Sequence, residues 1–457
     1  MENIDYTRWA IYFIFGLPFL GWLALTRSQV LRVFATLLVL IVVQGSLANR
    51  RYLWAIGVGP SIIVAYTALM AMLVTGRRMP RLGWLGPGWG IFLFLALVGV
   101  VVGSLGDAPL AWNVNAFQEL FVEAFVFFLV GVLAFRSDDE VQRFFSLLVL
   151  LGGFVAITHF FTLATGFRFR DFSQAREAQT WIYGAYFGNP NSLGAFYTMV
   201  FPLGLRLMMG SRVGKLWRPL LAVALVLMLG SLLLSTHRAG LLVTALLAVV
   251  ALVRGGARPT TVAVGVAGGA LGLGLAVTLV LYALPDVAEE VRRLLTEEGL
   301  RTQRGEIWLR SLQLVLARPY GIGLAPQNFL AEMASVGLPL ATPHNIYLTL
   351  ALETGIAGLF LFVAMVSTIV QKLWRAAKAA SSQAQRRIVD CALLGMLGFL
   401  IVGFGEPVWE NGYKLNHIFW LLSGIGLALA DRVLAERRVP SARMASIPAQ
   451  QVQAAGL

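Results

Sequence analysis

Charge is what this sequence has least of. Only 13% of its 457 residues are Asp, Glu, Lys or Arg, whereas 58% are hydrophobic and the mean hydropathy is +0.76. A soluble globule is excluded, because a folded chain of this composition would have too little polar surface to present to water. Cysteine is nearly absent. Cys391 stands alone, which rules out an intramolecular disulfide and any cysteine metal cluster. Neither a Gly-x-x-x-x-Gly-Lys-Ser/Thr loop nor a His-Glu-x-x-His pair occurs, so ATP drive and zinc chemistry are disfavoured, and neither a cofactor nor a metal is expected. Acidic residues are the minority among the charges, 23 against 36 basic ones, for a net charge of +13. No basic stretch is joined to a soluble reading module, so nucleic acid is not an expected partner. Most of the positive excess is assigned to a cytoplasmic rim, the rest to an anionic substrate.

What is there is apolar sequence in lengths that suit a bilayer, about 20 residues of helix per crossing. Candidate spans fall near Trp9–Leu25, Leu31–Ala48, Leu53–Thr75, Trp89–Leu105, Phe117–Phe135, Phe144–Thr165, Ser192–Met209 and Pro219–Ser235. Others follow near Ala239–Val253, Thr260–Leu284, Asn345–Val370, Ile388–Phe404 and Leu415–Ala430. The runs are continuous rather than alternating, so the expected fold is an all-α polytopic membrane protein and not a barrel. The first run is read as part of the membrane domain, not as a removable signal peptide. Short basic loops set the orientation: Lys372, Arg375, Lys378, Arg386 and Arg387 in one, Arg212, Lys215 and Arg218 in another, with Arg77, Arg78 and Arg81 on the same side. That side is expected to be cytoplasmic. Alternation then puts Arg50 and Arg51 outside, so one of the first two segments is read as re-entrant or interfacial, which leaves about 12 spans.

The chain accordingly divides into transmembrane helices over 1–284, a helical insert over 285–343, further transmembrane helices over 344–431, and a cytoplasmic tail over 432–457. Within the insert, Asp286–Glu298 is acidic and amphipathic, Thr302 can cap a helix running to about Ala317, and Pro326–Val336 suits a third. The insert has too few large apolar residues to fold alone, so it is expected to lie on the membrane domain as a lid.

Few residues in such a chain can carry chemistry. His344 stands where the insert meets the next helix, and an imidazole at that interface can accept a proton at neutral pH or simply cap the helix. Arg238 lies at the mouth of the Ser235-Thr236-His237-Arg238 hairpin, where it either binds substrate or snorkels to headgroups. Arg304 opens the second insert helix, and its planar fork suits diphosphate oxygens. Glu119 and Glu123 share a helix face; they suggest either a proton relay or pairing with an arginine. Arg168, Arg170 and Arg176 make the loop before Gly188-Asn189-Pro190-Asn191 basic enough to hold an anionic headgroup. Gly265, Gly268, Gly269 and Gly272 give small-xxx-small spacing for helix packing.

Taken together, these motifs resemble a known family. His344-Asn345-x-x-Leu348-x-x-x-x-Glu353-x-Gly355-x-x-Gly358 after a long insert resembles the signature of the O-antigen ligase and polymerase superfamily. The Ser235–Gly240 hairpin, the Gly188–Asn191 turn and Arg304-Gly305-Glu306-Ile307-Trp308 resemble three of its other motifs, although His237 stands where many relatives have a small residue. The resemblance implies a C-type glycosyltransferase-like fold with a periplasmic insert, in the bacterial inner membrane. It also implies inverting, metal-independent transfer of a glycan from undecaprenyl diphosphate to a sugar hydroxyl of the lipid A core. Arg238 and Arg304 would then hold the diphosphate and His344 would serve the acceptor hydroxyl, with Asn345, Asn189, Arg168 and Arg170 as further substrate-binding residues. Two other readings stay open: a polymerase using the same donor, and a proton-coupled lipid or polyprenol flippase relying on Glu119 and Glu123. A protein O-oligosaccharyltransferase is disfavoured by the short sequence after the signature helix.

Overall fold

A computed structural model describes residues 17–43, 60–165 except 78 and 107, 187, 190–258 except 211–213 and 236, 260, 282, 304–338, 342–409 and 414–445. Among these residues every regular element is helical. In chain order they are α1 (Leu17–Leu25), α2 (Gln29–Leu38, extended by a π turn over Val39–Val43), α3 (Pro60–Val74) and α4 (Leu85–Ser104). Then come α5 (Leu110–Phe117), a π turn over Gln118–Val122, α6 (Glu123–Ala134), α7 (Asp138–Thr165), α8 (Pro190–Met208), α9 (Trp217–Leu234) and α10 (Arg238–Arg254). The described part of the insert holds α11 (Arg304–Ala317) and α12 (Pro326–Ala334), followed by α13 (Ile346–Ala379), α14 (Gln383–Val402) and α15 (Leu415–Ala445).

Among the described residues, six helical stretches are long and apolar enough to cross a membrane: Leu85–Ser104, Leu110–Ala134, Asp138–Thr165, Trp217–Leu234, Ile346–Ala379 and Leu415–Arg437. Their exposed faces are hydrocarbon-like. On α4, Ile91, Phe94, Leu97 and Val101 recur at helical spacing and stay exposed, whereas Trp89, Phe92, Ala96 and Val100 turn inward. The centre of the bundle is aromatic, with Trp89 and Trp420 ring centroids 4.5 Å apart and Phe362 packed edge-on against Trp420 at 5.9 Å. Where α6 crosses α15 the backbones meet. A Cβ on Gly131 would lie 2.3 Å from the Leu421 carbonyl oxygen, and one on Gly424 would lie 2.2 Å from that of Phe128.

Several expected boundaries move. The span expected over Leu415–Ala430 continues as helix to Ala445, and the third insert helix ends at Ala334 rather than Val336. The segment Thr260–Leu284 with its glycines is outside the described residues apart from single positions, as are Arg50, Arg51, Arg78, Thr302 and the Asp286–Glu298 helix.

The described insert packs on the membrane domain as anticipated, and the contact explains its shape. Ile307, Val315, Ile322, Phe329 and Met333 form a second core with Ala351 and Leu352 of α13. Gly355 interrupts α13 with φ 74° and ψ 173°, so the Leu352 carbonyl and the Ile356 amide lose each other as helical partners. The Pro319–Ile322 turn takes both: Ile322 N–H donates to Leu352 O at 2.6 Å, and Ile356 N–H donates to Pro319 O at 2.9 Å. At the α4 end, Asn113 Oδ1 accepts from Ala325 N–H at 3.1 Å and from Asn328 Nδ2 at 3.3 Å, while Asn328 Oδ1 accepts from Ala108 N–H at 3.2 Å. These buried amides fix the insert to α5 and to the end of α4.

Candidate active site

The site begins with the start of α13. Asn345 is its N-cap: Oδ1 accepts from Tyr347 N–H at 2.9 Å and Leu348 N–H at 3.1 Å, satisfying two of the helix's orphan donors. Its Nδ2 donates to Phe404 O at 3.0 Å, and Ile346 N–H donates to Gly403 O at 2.8 Å. Both ends of the Asn345 amide are therefore committed to joining α13 to the end of α14. One residue earlier, His344 adopts φ 52°, a left-handed conformation uncommon outside glycine and maintained only by its surroundings. Those surroundings are two anchors: His344 N–H donates to Thr342 Oγ1 at 3.2 Å, and Trp308 Nε1 donates to Pro343 O at 2.9 Å. Trp308 and Arg304 lie one turn apart on α11, so the tryptophan that latches the histidine loop also aims the arginine.

Arg304 opens α11 and reaches the loop after α14. It donates to Gly405 O at 2.9 Å and pairs with Glu406 Oε1 at 3.3 Å. Arg304's side chain is 36% exposed while that of Glu406 is 2% exposed, so the carboxylate is sealed in and the guanidinium keeps a face open to a ligand. Glu406 is also approached from the hairpin. His237 caps α10 by accepting Gly240 N–H on Nδ1 at 3.2 Å, which puts its proton on Nε2, 3.1 Å from Glu406 Oε1, close enough to pair but poorly aligned for a hydrogen bond. Gly194 makes room for this imidazole, since a Cβ there would fall 1.9 Å from Nδ1. Arg238, the next residue, opens α10 on the exposed side of the hairpin.

The four elements thus meet at Glu406. Burial lowers the His344 pKa below the usual imidazole value; Glu406 pulls it back up and Arg304 pushes it down. His344 is therefore neutral at pH 7, and its Nδ1 is buried with no hydrogen-bond partner, as is Glu406 Oε2. A half-open guanidinium, a sealed carboxylate and a neutral imidazole, with the Arg238 hairpin adjoining, can bind an anion and accept one proton beside it.

Arg304 and His344 are brought together around Glu406, and Arg238 is adjacent in sequence to His237, which also approaches that carboxylate. Asn345 supports the cluster from below, and Asn189, Arg168 and Arg170 lie outside the described residues. Glu406 is the member the sequence reading missed. Its signal was a carboxylate in the loop between two apolar runs, which the sequence reading did not single out. Glu119 and Glu123 lie elsewhere, and their cation is a lysine rather than an arginine: Lys414 Nζ is 3.0 Å from Glu119 Oε1 and 3.5 Å from Glu123 Oε2. His417 Nε2 lies 2.9 Å from Glu123 Oε2, and Asn416 Nδ2 donates to the π-turn carbonyl of Leu120 at 3.3 Å.

Fold and site together define a class: a multi-pass helical membrane protein with a cluster of charged and imidazole side chains where a helical insert joins the bundle. Comparison with known proteins narrows it. Residues 223–363, which hold Arg238, Arg304 and His344, match the model of the O-antigen ligase family. An O-antigen ligase of Pseudomonas aeruginosa is 27% identical over 323 residues, covering 70% of this chain and 71% of that protein.

Proposed function

We propose that the protein is an inverting, metal-independent glycosyltransferase of the bacterial inner membrane, moving a glycan from undecaprenyl diphosphate to a sugar hydroxyl of the lipid A core. The carrying observation is the junction of Arg304, His344 and the His237-Arg238 hairpin on Glu406, all of them but Glu406 lying inside the segment similar to the ligase family. In this reading the fold is C-type glycosyltransferase-like with about 12 spans, and the insert and site face the periplasm.

The acceptor hydroxyl oxygen attacks the anomeric carbon from the face opposite the diphosphate. The glycosidic carbon–oxygen bond breaks, and undecaprenyl diphosphate leaves with its bonding electrons. Arg238 and Arg304 stabilise the charge that accumulates on the departing oxygens. His344, kept neutral by burial, takes the hydroxyl proton.

The test is reconstituted transfer to rough lipopolysaccharide in chelator, without nucleotide. Wild type is expected to modify the core. His344→Ala should lose roughly 10²- to 10⁴-fold in rate, and Arg238→Ala or Arg304→Ala about 10²- to 10³-fold. The wild-type rate should fall with acid only below the ordinary histidine pKa of about 6.5, because the lowered pKa keeps His344 neutral down to that point. Lengthening of the donor would make the protein a polymerase. No transfer, with His344→Ala retaining cellular function, would sink the site.

A further inference from the structure

At the end of the bundle away from the insert, a cavity of about 450 Å³ opens between the turn after α3, the end of α6 and α15. The insert sits on Gly103 at one end of α4 and this cavity on Leu82 just before the other, roughly 30 Å apart at about 1.5 Å per residue. Its walls are of two kinds. Leu82, Leu133 and Leu427 form an apolar side, and Arg77, Arg136 and Asp431 line a polar one.

The polar side is not neutral. Asp431 is held by Lys372 at 2.7 Å, and Asp138 nearby by Arg432 at 2.6 Å. Glu140 turns back to cap its own helix, with Oε2 accepting from Arg136 N–H at 2.8 Å and Ser137 N–H at 3.3 Å. Arg32, buried below, commits its donors to the Leu23, Ala24 and Thr26 carbonyls and to Gln29. Among the described residues, the guanidinium groups of half-buried Arg77 and exposed Arg136 make no hydrogen bond or ion pair; burial and Arg136 disfavour the charge on Arg77, and Glu140 favours it from beyond pairing distance. Two guanidinium groups at one opening present free donors that a single anion can take from both sides.

We propose that this cavity binds the phosphate of an anionic phospholipid, with Arg77 and Arg136 clasping the phosphate and an acyl chain lying on the Leu82–Leu133–Leu427 wall. A lipid fits better than a free ion because charge and hydrocarbon surface adjoin in one opening at the rim of the apolar helices. The site is separate from the transfer chemistry and would stand without it.

Native mass spectrometry of the full-length protein in mild detergent tests this with phosphatidylglycerol, phosphatidylcholine and inorganic phosphate as probes. Wild type should retain phosphatidylglycerol in preference to phosphatidylcholine. R77Q or R136Q should weaken retention about fivefold and the double variant about 25-fold, whereas R77K/R136K should keep most of it. Unchanged elution and thermal midpoint would show the variants folded. Equal retention by wild type and the double variant, or equal binding of the two lipids, overturns the site. Displacement of phosphatidylglycerol by excess inorganic phosphate would make it a free-phosphate site and overturn the lipid assignment.

Discussion

At the scale of single residues, Glu406 has the most consequence for its size. It is sealed from solvent, touches the arginine of the insert and the histidine of the hairpin, and sustains the basicity of His344. An exposed pair of this kind would be worth less than about 1 kcal/mol. Here the carboxylate is buried, so its loss frees a guanidinium that must stay aimed. Glu406→Gln should lower the transfer rate about 10- to 100-fold with little change in donor KM, by misdirecting Arg304. It should also move the acid limb of the pH–rate profile to lower pH, since the charge that raises the His344 pKa is gone. An acid limb that stays put would confine Glu406 to a structural role. His344 and both arginines were legible in the sequence because each is a polar residue at the edge of apolar sequence, where its presence needs a reason. Glu406 was not, because nothing local in Gly405-Glu406-Pro407 says which cation it meets.

At the scale of elements, the break in α13 couples insert to membrane helix. Gly355 needs its positive φ, and a Cβ there would also stand 2.7 Å from Pro319 O. A side chain at this position costs about 1–3 kcal/mol in backbone strain alone. Gly355→Ala should therefore loosen the Pro319–Ile322 turn. Hydrogen exchange of the Ile322 amide, which is bonded to Leu352, should accelerate, and transfer should fall because α11 carries Arg304 on the same unit. Slow exchange at Ile322 in the variant would count against this coupling. The glycine was visible in the sequence as part of a motif; that it is a helix break receiving a turn from the insert was not. A Gly within an apolar helix reads equally as close packing, the role Gly131 and Gly424 have at the α6–α15 crossing.

Across the whole molecule, the end remote from the insert is held by buried charge. Asp390 of α14 accepts from Arg206 of α8 at 3.0 Å and from Arg254 at the end of α10 at 2.5 Å, with no exposure of its side chain. Asp390→Asn leaves two arginines opposed by nothing of equal charge. It should destabilise the protein by about 3–5 kcal/mol, read as a lowered thermal midpoint in detergent. Glu332→Gln, which removes the partner of the exposed Arg318 on the insert, should cost under about 1 kcal/mol. Similar losses in the two variants would mean that Asp390 is not a clamp. The clamp gathers the hairpin helix α10 with α8 and α14, the helices that reach the Glu406 cluster at their other ends, so it also sets how closely those ends converge.

Sequence by itself determined the helical membrane class and the polar insert, and it singled out Arg238, Arg304 and His344 as candidates. Burial in lipid is a demand on composition and length, and a motif is a pattern of neighbours, so both are written along the chain. Tertiary structure alone decided that Glu406 joins those residues, that Lys414 answers Glu119 and Glu123, and that Arg77 and Arg136 face one cavity. Each of these is a pairing between residues distant in sequence. Electrostatic energy depends on separation and burial in space, and neither is set until the helices have packed.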